Sequence, residues 1–202
     1  VKALRPHLFE FLQSGCILSA GSNEYWLGWG TSVKISAPAS DGFSLYAPDF
    51  FLKNSTPWNV FPYFSKVSHE ELTALLLSQG LGELEGVNSP VVWKSAEFEG
   101  FSLAFQDLQQ KFKTGILKKA VPIILEEGEF QGTPDSDFKF RGQLLFQLLR
   151  STQNFPLFLY GFWDSEEGIL GATPEILFKQ SEPSTLSTVA IAGTRRRVPQ
   201  GT

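Results

Sequence analysis

The stretch that decides the fold runs Cys16-Ile17-Leu18-Ser19-Ala20-Gly21-Ser22-Asn23-Glu24-Tyr25-Trp26-Leu27-Gly28-Trp29. Two apolar runs flank a Gly-Ser-Asn turn. Extended backbone sends alternate side chains to opposite faces, and Gly and Asn tolerate the positive φ that a tight reversal needs. The stretch therefore predicts strands over 16–20 and 24–29. Ser32 to Ala37 and Phe43 to Ala47 read as two further strands, set apart by Gly30 and by Ser40-Asp41-Gly42. The four together predict an antiparallel meander.

Residues 48–67 are aromatic and interrupted by Pro57 and Pro62, and read as irregular. Ser68 and Glu71 have capping-box spacing, so a helix starts at Ser68; Gly80 supplies its stop, and Leu72, Leu75 and Leu76 form its apolar face. Ser95 caps a second helix, along which Phe98, Phe101, Phe105, Leu108 and Phe112 recur at steps of three and four. That stripe is expected to pack in a core. After Gly115, Lys118 to Leu125 reads as a strand and Phe138 to Arg150 as a third helix. Pro156 to Asp164, Ile169 to Ala172, Ile176 to Gln180 and Thr185 to Ala192 read as strands. The pattern predicts an α+β fold of layered mixed or antiparallel sheets with outer helices.

Composition narrows the function classes. Hydrophobic residues make up 42% and charged residues 19%, enough apolar material for a packed core and too much for a disordered chain. The net charge is −4 and the longest basic run is Arg195-Arg196-Arg197, so nucleic-acid binding has no electrostatic footing. No stretch is apolar enough to span a bilayer, and the N-terminus does not read as a signal peptide. Cys16 is the one cysteine, which excludes an internal disulfide and suits a reducing compartment; the expected location is cytoplasmic. The chain holds no Met and stops without a terminating element, which leads to the expectation of a longer protein, incomplete here at the C-terminus.

Three segments in the second half can carry chemistry. In the strand expected after Gly115, both faces are mostly apolar, so Lys118 or Lys119 starts within a largely buried element. Burial disfavours an ammonium and makes a lysine available as a general base; the bland alternative is a lysine reaching out to water. In Gly171-Ala172-Thr173-Pro174-Glu175, Thr173 suits a cap and Pro174 a first helical position, while Glu175 is either ordinary turn chemistry or a general acid. In Ala190-Ile191-Ala192-Gly193-Thr194-Arg195, Gly193 permits close backbone approach and the Thr194 hydroxyl can bind a ligand; a simple strand-ending turn reads equally well.

Taken in order, these segments resemble the chorismate-utilising enzymes: isochorismate and salicylate synthases, and the first components of anthranilate and aminodeoxychorismate synthases. That family carries a Gly-[Ala/Ser]-[Ser/Thr]-Pro-Glu motif followed by one of the Ala-Gly-Thr type. The resemblance covers residues 98–197. Residues 1–90 match only as a generic strand-rich part, so the chain is expected to be the N-terminal part of one such domain, with 91–202 the first part of its catalytic core. The sequence departs from the family pattern at Pro122 and Ile124, and again at Arg196 and Val198.

The resemblance implies a function. A lysine at the position of Lys119 marks the members that use water, and points to isochorismate synthase. Lys119 would then take a proton from the attacking water and Glu175 would act as the acid. Ala192, Gly193 and Thr194 would contact chorismate. Mg²⁺ is the implied cofactor, with its ligands expected beyond Thr202 and none assigned here, so the chain ending at Thr202 is not expected to turn over substrate. The implied product would feed menaquinone or siderophore biosynthesis. The alternatives are an ammonia-using synthase component and a non-catalytic fragment or homologue that only binds.

Overall fold

The computed structural model describes residues 5–21, 23–49, 51–82, 91–95, 98–121, 125–131, 134–154, 157–175, 179–182 and 184–188. The chain divides into two compact units, one of Val1–Leu84 with Asp137–Thr202 and the other of Glu85–Ser136. In the first unit lie helices α1 (Leu8–Gln13) and α2 (His69–Ser78), with strands β1 (Gly15–Gly21), β2 (Glu24–Trp29), β3 (Val33–Ile35), β4 (Phe43–Tyr46), β5 (Trp58–Phe61) and β6 (Tyr63–Ser68). The second unit holds β7 (Val91–Trp93), α3 (Phe98–Lys113) and β8 (Gly128–Phe130). Helix α4 (Pro134–Asn154) leads back into the first unit, which continues with β9 (Phe158–Trp163), β10 (Gly168–Thr173), β11 (Lys179–Glu182) and β12 (Thr185–Ser187).

The predicted hairpin is the centre of the first unit. Gly21 and Asn23 take φ of 137° and 59° at the turn, and β1 pairs with β2 from Gly15↔Trp29 to Gly21↔Glu24. Around them a five-stranded antiparallel sheet has the order β10-β9-β1-β2-β6. The strict alternation of strand side chains sorts this sheet into two faces. Ile17, Tyr25, Leu27, Val67 and Leu159 point to one face and are buried there against Phe11 and Leu12 of α1, Leu72, Leu75 and Leu76 of α2, and Leu145 and Leu149 of α4. On the other face Trp26 and Phe64 meet Phe43 with ring centroids 6.0 and 6.2 Å apart, which seats the three-stranded sheet β3-β5-β4. The fold is thus α+β, with antiparallel sheets and helices on one face. No helix among the described residues is long and apolar enough to cross a membrane.

Helix α2 begins as its sequence predicts. The Glu71 N–H donates to Ser68 Oγ at 3.2 Å and the Ser68 N–H to Glu71 Oε2 at 3.0 Å, closing the capping box. Gly80, at φ 69°, comes just after its end. The stretch expected to be irregular, 48–67, instead holds β5 and most of β6. Pro57 lies just before β5 and Pro62 between the two strands, where a missing N–H interrupts no ladder.

The second unit corrects two expectations. Helix α3 forms where the Phe stripe places it, yet none of its residues is buried; Phe98 is 63% exposed and Phe105 43%. Periodicity specifies the helix and not a covering layer. The strand expected over 118–125 is not there at 118–121 or at 125; residues 122–124 lie outside the described residues. Gly115, at φ 75°, turns the chain out of α3, and the Leu117 N–H donates back to Lys111 O at 3.2 Å. Among the described residues no strand pairs with the segment after Gly115, and Ile116, Val121 and Leu125 are 71%, 71% and 83% exposed. The pairing in this unit is β7 with β8, extended by an ion pair of Lys94 Nζ and Glu127 Oε2 at 2.9 Å.

Candidate functional site

The three chemical segments fall in different places. Gly171-Ala172-Thr173-Pro174-Glu175 closes β10, an edge strand of the five-stranded sheet. Its register runs Gly171↔Tyr160, Ala172↔Leu159 and Thr173↔Phe158 against β9. At Gly171 an added Cβ would stand 2.9 Å from the Tyr160 hydroxyl, so the end of that side chain would have to shift. Thr173 is half-buried at the strand end, and its Oγ1 accepts the Glu175 N–H at 3.1 Å. This hydroxyl fixes the backbone through which Pro174 carries the chain outward, leaving Glu175 exposed. The hydrogen bond from Glu175 to Thr173 fits the turn or helix-start reading of this motif; residues 176–178, where a helix would continue, lie outside the described residues.

Lys119 belongs to the second unit, in the irregular segment after α3, and Lys118 beside it is likewise exposed. The expectation that a strand would bury one of these lysines is corrected. With no paired strand around it, neither ammonium loses its water. Ala192, Gly193 and Thr194 lie outside the described residues. Lys119 and Glu175 thus stand in separate units, each with its own local surroundings. Among the described residues no group of three His, Cys, Asp or Glu side chains could hold a metal ion.

The chain matches no family model, no curated protein and no solved structure.

Two polar arrangements leave little sign in the sequence. The first is buried. Tyr25 Oη lies 3.0 Å from His69 Nδ1 and 3.2 Å from Thr152 Oγ1, joining β2, α2 and α4. Thr152 donates its hydroxyl hydrogen to Leu149 O at 2.7 Å, so it accepts from Tyr25, and Tyr25 in turn accepts from His69 Nδ1–H. Burial holds the His69 pKa below the ordinary imidazole value, with the Glu70 carboxylate pulling the other way. Its Nε2 is buried without a partner among the described residues. A His opening a helix after a capping Ser gives no hint of this, because Tyr25 and Thr152 are remote in sequence.

The second arrangement lies where α4 meets the β9–β10 hairpin. Arg141 holds Asp137 through Nη2–Oδ2 at 3.0 Å and Nε–Oδ1 at 3.3 Å, while its Nη1 donates to Asp164 O at 2.6 Å. The i, i+4 spacing of Asp137 and Arg141 on a helix is the legible part of this clamp. Asp164 Oδ1 accepts the N–H groups of Glu166 and Glu167 at 2.8 and 2.9 Å, and these bonds hold its carboxyl below the usual range. Cys16 adds no chemistry: burial pushes its thiol up to about 12, partly offset by a backbone hydrogen bond from Gly28. A thiol so protonated is a poor nucleophile.

Proposed function

We propose that this chain is part of an isochorismate synthase, with Glu175 as the general acid and Lys119 as the general base. The observation that carries the reading is the succession, in one chain, of Lys119, Gly171-Ala172-Thr173-Pro174-Glu175 and Ala192-Gly193-Thr194. A feature of the fold accords with it: the Thr173 hydroxyl accepts the Glu175 N–H just beyond the end of a sheet strand, and Glu175 is exposed.

In this reading Lys119 takes a proton from water as that water bonds to ring carbon 2 of chorismate. The ring double bonds shift, the bond from carbon 4 to its hydroxyl breaks, and Glu175 gives the leaving oxygen its proton. One water enters and one leaves, and the product is isochorismate. Such an exchange needs a base and an acid in opposite protonation states at the same time. Ala192, Gly193 and Thr194 hold the substrate through backbone N–H and hydroxyl groups. Mg²⁺, when bound, would offset the ring carboxylate's charge.

The exposed Lys119 sets a condition on this mechanism. Burial in the substrate complex is what would disfavour the charged form of a lysine and let it act as a base. That same exposure favours a second reading, a chorismate-binding homologue without turnover. The experiment that separates them incubates chorismate and Mg²⁺ with a protein carrying this chain and the downstream segments that the resemblance calls for. Isochorismate in the mixture supports the synthase, binding without conversion supports the second reading, and no binding removes both.

A further inference from the structure

We propose that the cleft between α4 and the β9–β10 hairpin binds a small organic ammonium, a protonated amine on an apolar body about the size of a phenethyl group. The cleft encloses about 290 Å³. This is close to the lower end of the range for small-molecule sites. Its floor is Leu12, Leu145 and Trp163, and its walls include Phe140, Leu144 and Ile169. Such a lining accepts a flat or branched hydrocarbon and excludes a bare ion.

Charge selects what that hydrocarbon carries. Asp137, Glu166 and Glu167 line the cleft, and Asp164 sits in the adjoining turn. Arg141 is the one cation in the lining, and all of its guanidinium nitrogens are engaged, with Asp137 and with the Asp164 carbonyl. Lys34 of β3 acts on Asp164 from a distance. Four carboxylates thus face two cations, and Glu166 and Glu167 are exposed with no ion pair to either of them among the described residues. An ammonium at the rim gains from that unbalanced charge, and a carboxylate is repelled by it. Trp163 fixes the floor, because its Nε1 donates to Phe11 O at 2.8 Å and its ring meets Phe11 edge-on.

The test titrates the ¹⁵N-labelled chain with phenethylamine and, in parallel, with 3-phenylpropionate, which has the same body and the opposite charge. The Trp163 indole N–H resonance should move with the amine, saturably, and move little with the acid. Glu166→Gln with Glu167→Gln should weaken amine binding roughly fivefold, the scale of an exposed charge pair, and remove its salt dependence. Both residues are exposed, so the variant should keep the fold. Leu144→Trp should fill the cleft and abolish the response. Equal response to amine and acid, no movement of the Trp163 signal, or unchanged affinity in the double variant would overturn the proposal.

Discussion

Replacing Tyr25 by Phe deletes one oxygen from a buried junction of three elements. That oxygen lies 3.0 Å from His69 Nδ1 and 3.2 Å from Thr152 Oγ1, and His69 is only 2% exposed. The ring stays and its packing is conserved, so the loss is of hydrogen bonds and not of apolar contact. A typical buried bond contributes about 1 kcal/mol net, and a buried donor left without an acceptor costs about 1–3 kcal/mol. His69 Nδ1–H becomes such a donor, because Nε2 on the same ring already lacks a partner among the described residues. The expected destabilisation is about 2 kcal/mol. At roughly 2–4 °C per kcal/mol for a chain of this size, Tm should fall by about 4–8 °C. Thermal unfolding followed by far-ultraviolet circular dichroism at pH 8, where His69 is neutral in both states, reads this directly. A Tm within about 1 °C of the parent would refute the buried network, since the deletion would then have reached no unreplaced bond.

The same histidine makes stability depend on pH. Its folded pKa is depressed, so the unfolded chain takes up the proton first; its contribution is full above the unfolded value of about 6.5 and is lost as pH falls below that. Tm should therefore drop from pH 7 to pH 5, and His69→Gln should flatten that part of the profile. Ser68→Ala opens the capping box and should cost about 1 kcal/mol in urea unfolding, whereas Ser68→Asp should restore most of it. Gly161→Ala places a Cβ 2.7 Å from Ile169 O and 2.8 Å from Leu170 Cδ1, so β9 and β10 must part; a loss of about 1–3 kcal/mol should appear in the same assay. Cys16 should resist an aromatic disulfide reagent at pH 8 in the folded protein and react once the chain is unfolded in urea.

The central hairpin is legible in the sequence because Gly21 and Asn23 mark the reversal and the flanking runs are long and apolar. The start of α2 is legible because Ser68 and Glu71 have a spacing with a hydrogen-bonding meaning. Pro57 and Pro62 conceal β5 and β6: a proline suggests a break, whereas at a strand's margin it breaks nothing. The segment after α3 misleads for the opposite reason. Lys118 to Leu125 has the apolar content of a strand, but a strand needs a partner for its N–H and C=O groups, and no local pattern names one. The Phe stripe of α3 has the same limit, since periodicity reveals a face and not what covers it. Of the candidate site, the backbone setting of Glu175 is foreshadowed by Thr173 and Pro174. The shielding expected at Lys119 is not realised, because it depends on that strand. The Tyr25–His69–Thr152 junction joins residues far apart in sequence and leaves no local trace.

The proposed chemistry requires one acid and one base acting on a single ring. The most direct measurement is the chromatographic yield of isochorismate from chorismate and Mg²⁺, made with a protein that carries this chain together with the downstream segments the family resemblance calls for. The unmutated protein should form isochorismate, and Lys119→Ala and Glu175→Gln should each abolish it while leaving the circular dichroism spectrum unchanged. Yields in either variant close to that of the unmutated protein would contradict the assignment of Lys119 and Glu175.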